Sequence, residues 1–290
     1  MLIVRGLTGA GAPVVGVAGD LDGRVRPVGA GSVAELLRLP VGELRERCAA
    51  AAAEPVPYAR LTAPVDGRTE VWAAGVTYGR SRTARVEESE RSADVYERVY
   101  DADRPELFFK SAAWRVSGPG GRISVRRDSA VNVPEPELAL VLNRSGEIAG
   151  YTICDDVSSR SIEGENPLYL PQAKIYLGAC AVGPAIRPAW EITDPYALDI
   201  TLSIRRDGVD AWSGKASTSE LHRRLDELAA YLFREDVFPD GAILSTGTSL
   251  VPDLPFTLTP GDEVTIAITG IGALATTVVH GRDEMARAPV

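Results

Sequence analysis

Histidine is almost missing from this chain: among 290 residues there are two, His222 and His280. A Ser-His-Asp triad would have to recruit one of them, and no Gly-x-Ser-x-Gly elbow is present, which removes most hydrolase and zinc arrangements. Cysteine is scarce as well. Cys48, Cys154 and Cys180 are widely spaced and odd in number, so they make neither a disulfide framework nor a Cys-x-x-Cys metal site. No apolar run reaches the roughly 20 residues that span a bilayer. The N-terminus, Met1 to Gly6, lacks the charged-then-apolar build of a signal peptide, which predicts a cytoplasmic location. Positive charge is in deficit, with 31 Lys and Arg against 40 Asp and Glu and a net charge of −9. With no basic stripe, this excludes nucleic acid and anionic membrane as expected partners.

What is present suffices for one large or two modest domains. Residues 1–65 read as a small α/β unit. Short strands are expected at Ala12–Ala18 and Gly23–Val28, and helices at Ser32–Leu39 and Val41–Ala53. The run from Glu54 to Pro64 carries three prolines and is the expected linker. Residues 66–290 then alternate turn signals with β-rich runs, so the second domain is expected to be mainly β, closed on itself or folded as a sandwich. Its clearest helix is expected at Ser219–Phe233, where Ser217 to Leu225 opens as a capping box and places His222 on an amphipathic face. The polar run Ser81–Asp103 has no Gly or Pro and is too polar for core; it reads as an exposed helix or a lid over a site.

The chemistry concentrates in Asn132-Val133-Pro134-Glu135-Pro136-Glu137-Leu138-Ala139-Leu140-Val141-Leu142. Strand side chains repeat direction every second residue, so Glu135 and Glu137 project from one face, roughly 6.5–7 Å apart at their Cα atoms. Adjacent carboxylates repel, and burial beside apolar residues adds to the cost. A hairpin at Asn143–Glu147 returns the chain through Ile148–Cys154 to Asp155 and Asp156, beside the glutamate pair. A third carboxylate completes the usual protein share of an octahedral Mg²⁺ or Mn²⁺ site. Further on, Thr246-Gly247-Thr248 ends a strand and offers hydroxyls and backbone N–H groups where Gly permits close approach of a ligand.

Taken together, Pro134-Glu135-Pro136-Glu137-Leu138-Ala139, Gly150-Tyr151-Thr152 leading to Asp156-Val157-Ser158-Ser159-Arg160, Lys174, Gly183-Pro184 and Leu244-Ser245-Thr246-Gly247-Thr248 resemble the core of the fumarylacetoacetate hydrolase superfamily, over residues 68 to 285. Two stretches, Tyr100 to Lys110 and Ile162 to Lys174, resemble a narrower group within it, the 2-keto-3-deoxy-D-arabinonate dehydratases. The resemblance implies an α+β protein whose catalytic domain is a β-roll, assembled as a homodimer or homotetramer. It implies Mg²⁺, with Mn²⁺ as the alternative, held by Glu135, Glu137 and Asp156. It further implies that Lys174 faces the metal and that Glu106 approaches a chelated 2-oxo acid from the other side.

On those terms the chain is expected to dehydrate 2-keto-3-deoxy-D-arabinonate to 2,5-dioxopentanoate. Mg²⁺ would act as Lewis acid for the enolate charge, Lys174 and Glu106 would share the base and acid roles in either order, and Lys110, Gly247 and Thr248 would bind the substrate. Ser81 stands where carbon–carbon hydrolases of the superfamily carry a water-activating histidine, which disfavours hydrolysis. Ser161 and Asp155 also depart from the dehydratase pattern, which usually has Asp and Asn there. Action on another 2-oxo acid as hydrolase or decarboxylase, or binding without turnover, are the alternatives.

Overall fold

The computed structural model describes residues 1–79 and 98–286. Most of the polar run from Ser81, including Ser81 itself, lies outside the described residues. The N-terminal unit opens with an antiparallel meander, β1 (Leu2–Leu7), β2 (Pro13–Ala18) and β3 (Arg24–Pro27). Helix α1 (Val33–Leu37) starts where Ser32 accepts a hydrogen bond from the Glu35 N–H at 3.0 Å, and α2 (Val41–Ala49) follows at once. Both bury one apolar stripe: Val33, Leu36, Leu37, Leu44 and Cys48 pack with Ile3, Val15 and Val17. The proline-rich run expected as a linker instead adds two short strands, β4 (Val56–Pro57) on β3 and β5 (Arg60–Leu61) on β1. Pro57 cannot donate to a ladder, and β4 tolerates it because it lies at the sheet edge.

The chain continues through β6 (Glu70–Gly75), β7 (Glu106–Ala112), β8 (Arg122–Val125), β9 (Asn132–Val133), β10 (Pro136–Leu142), β11 (Ile148–Asp156) and β12 (Ser158–Ser159). Two short helices, α3 (Arg160–Glu165) and α4 (Leu170–Lys174), lead to β13 (Cys180–Pro188). Next come β14 (Asp199–Arg206), β15 (Val209–Ser217), α5 (Leu225–Leu232), β16 (Ala242–Ser245), β17 (Glu263–Ile268), β18 (Gly272–His280) and α6 (Gly281–Ala286). The large sheet has the order β4-β3-β2-β1-β13-β11-β10-β16-β6-β7 with β5 on β1, and a second sheet runs β15-β14-β17-β18-β8. β1 pairs with β13 through Ile3 and Ile186, so the large sheet runs across residue 65 without a break.

Strand β10 shows why one apolar run can serve two cores. Leu138, Leu140 and Leu142 face the second sheet and pack with Ile200, Leu202 and Val264. Ala139 and Val141 point the other way, into the core under α1 and α2. With both faces covered, the strand reads as continuous hydrophobicity. The fold is mainly β with a few helices, as expected. Strands β13 and β15 went unanticipated: β13 is buried on both faces and β15 is polar and largely exposed, so neither shows the half-buried alternation.

The helix expected through His222 forms only from Leu225. The chain makes a short 3₁₀ turn at Thr218–Glu220, then bridges Leu221 to Tyr78, and the His222 N–H donates to the Thr77 carbonyl at 2.9 Å. These ties to the end of β6 override a local helical signal. The His222 ring stacks on Tyr100 at 4.1 Å, a structural use of the residue. Among the described residues, no helix is long and apolar enough to cross a membrane.

Candidate active site

The site is built at the start of the β10–β11 hairpin. Pro136 faces Asp155 and Glu137 faces Cys154 in register, and the Asp156 N–H donates to the Glu135 carbonyl at 3.0 Å. Two strand ends therefore deliver three acids to one point. Oxygens of Glu135, Glu137 and Asp156 lie within 4.8 Å of one another, and each residue is buried. Burial, then the neighbouring charges of Asp156 and Glu135, push the Glu137 carboxyl well above the usual carboxylate range; the hydrogen bond from Ser245 and the charge of Lys174 oppose this without reversing it. Glu137 Oε2 accepts from the Gly247 N–H at 2.7 Å and from the Ser245 hydroxyl. Three converging carboxylate oxygens in a low-dielectric pocket fit a hard divalent cation of the Mg²⁺ or Mn²⁺ type.

Cations close the centre from behind and from the side. Lys174, the last residue of α4, donates to Glu135 Oε2 at 2.7 Å, to Asp156 Oδ2 at 3.1 Å and to the Ser158 hydroxyl. Its ammonium also lies 5.8 Å from the Phe108 ring centroid. Arg160 Nη2 stands 3.5 Å from Glu135 Oε1, so the Glu135 carboxylate is held on both oxygens. Asp155 turns inward, where its Oδ1 accepts from the Glu135 N–H at 3.2 Å. Burial and then the Asp156 charge raise its pKa to about 8.

A small cleft opens over this centre, lined by Glu135, Glu137, Asp156, Lys174, Arg160 and Glu163. Ala74, Gly75, Val76, Glu106, Phe108, Gly247 and Thr248 complete it from the ends of β6, β7 and β16. Gly75 pairs with Glu106, and a Cβ there would lie 2.0 Å from Glu106 Oε2, so glycine makes room for the acid. Val76 follows with φ of +52°, an uncommon conformation for a β-branched residue and a local strain beside the cleft. Gly247 adopts φ of +89°, and a Cβ there would meet Thr77 Oγ1 at 2.0 Å.

The structure thus brings together Glu106, Glu135, Glu137, Asp156, Lys174, Gly247 and Thr248. It does not place Lys110 with them on the cleft surface. Expected to orient the substrate, Lys110 is 1% exposed, donates to the Val157 carbonyl at 3.2 Å and to the Lys174 carbonyl, and forms an ion pair with Asp156 Oδ1. Its contacts are with two backbone carbonyls and one Asp156 oxygen, so Lys110 supports Asp156 from outside the cleft lining. Gly247 is a partial correction: it lines the cleft, but its N–H is taken by Glu137. Thr248 Oγ1 accepts from the Leu250 N–H at 3.1 Å.

Sequence reasoning gave no binding role to Glu163. Its spacing from Arg160, three residues on a short helix, is the signal that places both on one wall. Ser161 bonds to the Ser129 hydroxyl at 2.7 Å and accepts from the Ala130 N–H at 3.2 Å. It fastens the loop before β9.

A family model described as fumarylacetoacetate (FAA) hydrolase C-terminal matches residues 71–279. The chain is 53% identical over 217 residues to a probable 2-keto-3-deoxyxylonate dehydratase of Haloferax volcanii, covering 75% of this chain and 74% of that one. It is 49% identical over 226 residues to a 2-dehydro-3-deoxy-D-arabinonate dehydratase of Saccharolobus solfataricus, with 77% and 76% covered. Among solved structures, a 2-keto-3-deoxy-D-arabinonate dehydratase complexed with magnesium and 2,5-dioxopentanoate superposes with a TM-score of 0.84 at 37% identity, over 97% of this chain and 100% of that one.

Proposed function

The chain belongs to the fumarylacetoacetate hydrolase family, and from that premise we propose that it is a metal-dependent hydro-lyase converting 2-keto-3-deoxy-D-arabinonate to 2,5-dioxopentanoate and water. The observation that carries this reading is the buried centre of Glu135, Glu137 and Asp156 with Lys174 2.7 Å from Glu135, in a chain about half identical to two dehydratases. The two relatives' names differ less than they suggest. With C2 a ketone and C3 a methylene, the stereocentres that separate arabinonate from xylonate are gone, and the D-series acids are one compound.

Glu135, Glu137 and Asp156 would hold Mg²⁺, with Mn²⁺ suited to the same oxygen set. When bound, the cation supplies Lewis-acid stabilisation of negative charge developing on the keto oxygen of a chelated 2-oxo acid. The chain's own residues move the protons. Lys174, facing the centre from α4, takes the C3 proton. Glu106, set against Gly75 on the far wall, gives a proton to the C4 hydroxyl, which leaves as water. The unsaturated acid then tautomerises to the C5 aldehyde. Phe108 keeps the approach to Lys174 apolar, and Arg160 and Lys110 fix the orientation of Glu135 and Asp156.

No residue of the 1–65 unit lines the cleft, and we assign that unit a supporting role, with catalysis in residues 66–290. Assembly as a homodimer or homotetramer, which the family resemblance implies, is part of this proposal. A cytoplasmic location belongs to the same reading. Incubation of the Mg²⁺-supplemented protein with 2-keto-3-deoxy-D-arabinonate, followed by mass spectrometry, tests the reaction. Loss of water with the carbon skeleton intact, abolished by a chelator, is expected; cleavage into two fragments would overturn it.

A further inference from the structure

The strand pair that carries the three acids departs from a regular ladder at one point, and the departure falls on Glu135. In a hydrogen-bonded antiparallel pair, two opposed residues exchange both N–H to carbonyl bonds. Asp156 gives its half, donating to the Glu135 carbonyl at 3.0 Å. The return bond is replaced. The Glu135 N–H donates to Asp155 Oδ1 at 3.2 Å, and the Asp156 carbonyl accepts from the Ser158 hydroxyl at 2.9 Å. That hydroxyl in turn accepts from Lys174. The bond to Asp155 therefore leaves the Asp156 carbonyl open to the serine that meets the lysine.

The local sequence explains why the Glu135 N–H needs such a partner. Pro134 and Pro136 flank Glu135 and have no N–H, so this triplet has a single backbone donor. Glu135 is buried, and a buried donor costs free energy unless it is met. Asp155 is buried too, but it does not line the cleft. Successive strand residues point to opposite faces, which sets its carboxylate across the sheet from that of Asp156. Lys174 and Arg160 hold the Glu135 side chain by its two oxygens; Asp155 holds the peptide from which it springs. We propose that Asp155 is a positioning residue for the metal centre: by holding the Glu135 N–H, it sets the direction in which that carboxylate reaches the cation. This rests on the metal-site reading of Glu135, Glu137 and Asp156. The role needs an acceptor at Oδ1, which the side-chain amide of asparagine also offers and a methyl group does not.

The test is calorimetric titration of wild type, Asp155→Ala and Asp155→Asn with Mg²⁺ and with Mn²⁺. Asp155→Ala is expected to bind the cation about 10–100-fold more weakly, the usual cost of removing a partner that orients a metal ligand. Asp155→Asn should recover most of that loss. Asp155→Ser, whose hydroxyl is too short to reach the Glu135 N–H, should behave as Asp155→Ala and replaces it if that variant does not fold. Unchanged affinity in a folded Asp155→Ala or Asp155→Ser protein overturns the assignment alone. A loss in Asp155→Asn as large as in Asp155→Ala also overturns it, since charge and not the acceptor would then be responsible. Binding of neither cation by wild type overturns the assignment and the metal-site reading together.

Discussion

Two regions of this molecule bury carboxylates, and their electrostatics run in opposite directions. At the junction between α1 and the large sheet, Asp240 is 1% exposed and accepts from Arg38 Nε at 2.9 Å and the Arg68 N–H at 3.0 Å. Burial alone would raise its pKa, but the bonds from Arg38 and Arg68 outweigh it and hold the group at about 2. In the cleft, Glu137 shows equally little surface but lies deeper, and burial and the charges of Asp156 and Glu135 win over the Ser245 bond and Lys174. Both the depth and the supply of donors differ, since the arginines that meet Asp240 are partly exposed. A carboxylate met by enough donors is scaffold, and one crowded among other carboxylates is a site that gains from a cation.

The largest effect should come from breaking the cleft side. Glu137→Gln removes a charge and a ligand oxygen. Loss of several kcal/mol of transition-state stabilisation is expected, roughly 10³-fold in kcat/KM. Calorimetry should show Mg²⁺ binding abolished, while thermal stability in chelator stays level or rises. Mg²⁺-stimulated activity retained in that variant would collapse the contrast with Asp240.

Next in size, Lys174→Met and Glu106→Gln should each lower kcat by about 10²–10⁴-fold. The two are separated by deuterium exchange at C3 of the substrate in heavy water, which Lys174→Met should lose and Glu106→Gln should keep. The reverse pattern would exchange their roles.

On the scaffold side, Asp240→Asn should cost about 1–3 kcal/mol by denaturant unfolding and leave Mg²⁺ affinity unchanged. The two regions also predict opposite pH slopes. A depressed pKa means that the Asp240 contribution is complete above pH about 4 and is lost as pH falls toward 2. A raised pKa means that, without metal, the folded state retains a proton on Glu137 that the unfolded chain releases, so this group's contribution to stability falls as pH rises above about 4.3. Unfolding in chelator across that range should show this fall in wild type and less of it in Glu137→Gln. The smallest change is Ser161→Ala, which should cost about 0.5–1.5 kcal/mol through the lost bonds to Ser129 and Ala130.

The glutamate strand and its hairpin were legible because both are local. The apolar run that follows Glu135 and Glu137 and the turn at Asn143–Glu147 need no distant partner to be read, and together they bring Asp156 to Glu135. The helix through His222 was misread because Thr77 and Tyr78, far off in sequence, claim that backbone. Lys110 was expected at the substrate only through the family resemblance of Tyr100 to Lys110. Its side chain is drawn behind Asp156 by two carbonyls from chain segments that only the fold brings near.

By itself, the sequence determined which acids exist, their spacing on β10 and β11, and the mainly β character of the chain, since side-chain period and turn chemistry are set by neighbours. Tertiary structure alone decided which cation faces which acid. It placed Lys174 and Arg160 on the two oxygens of Glu135, set Lys110 against Asp156 outside the cleft lining, and put Glu163 on the cleft wall. The physical reason is that electrostatic partnership depends on distances of a few ångströms across separate elements, which no local pattern encodes.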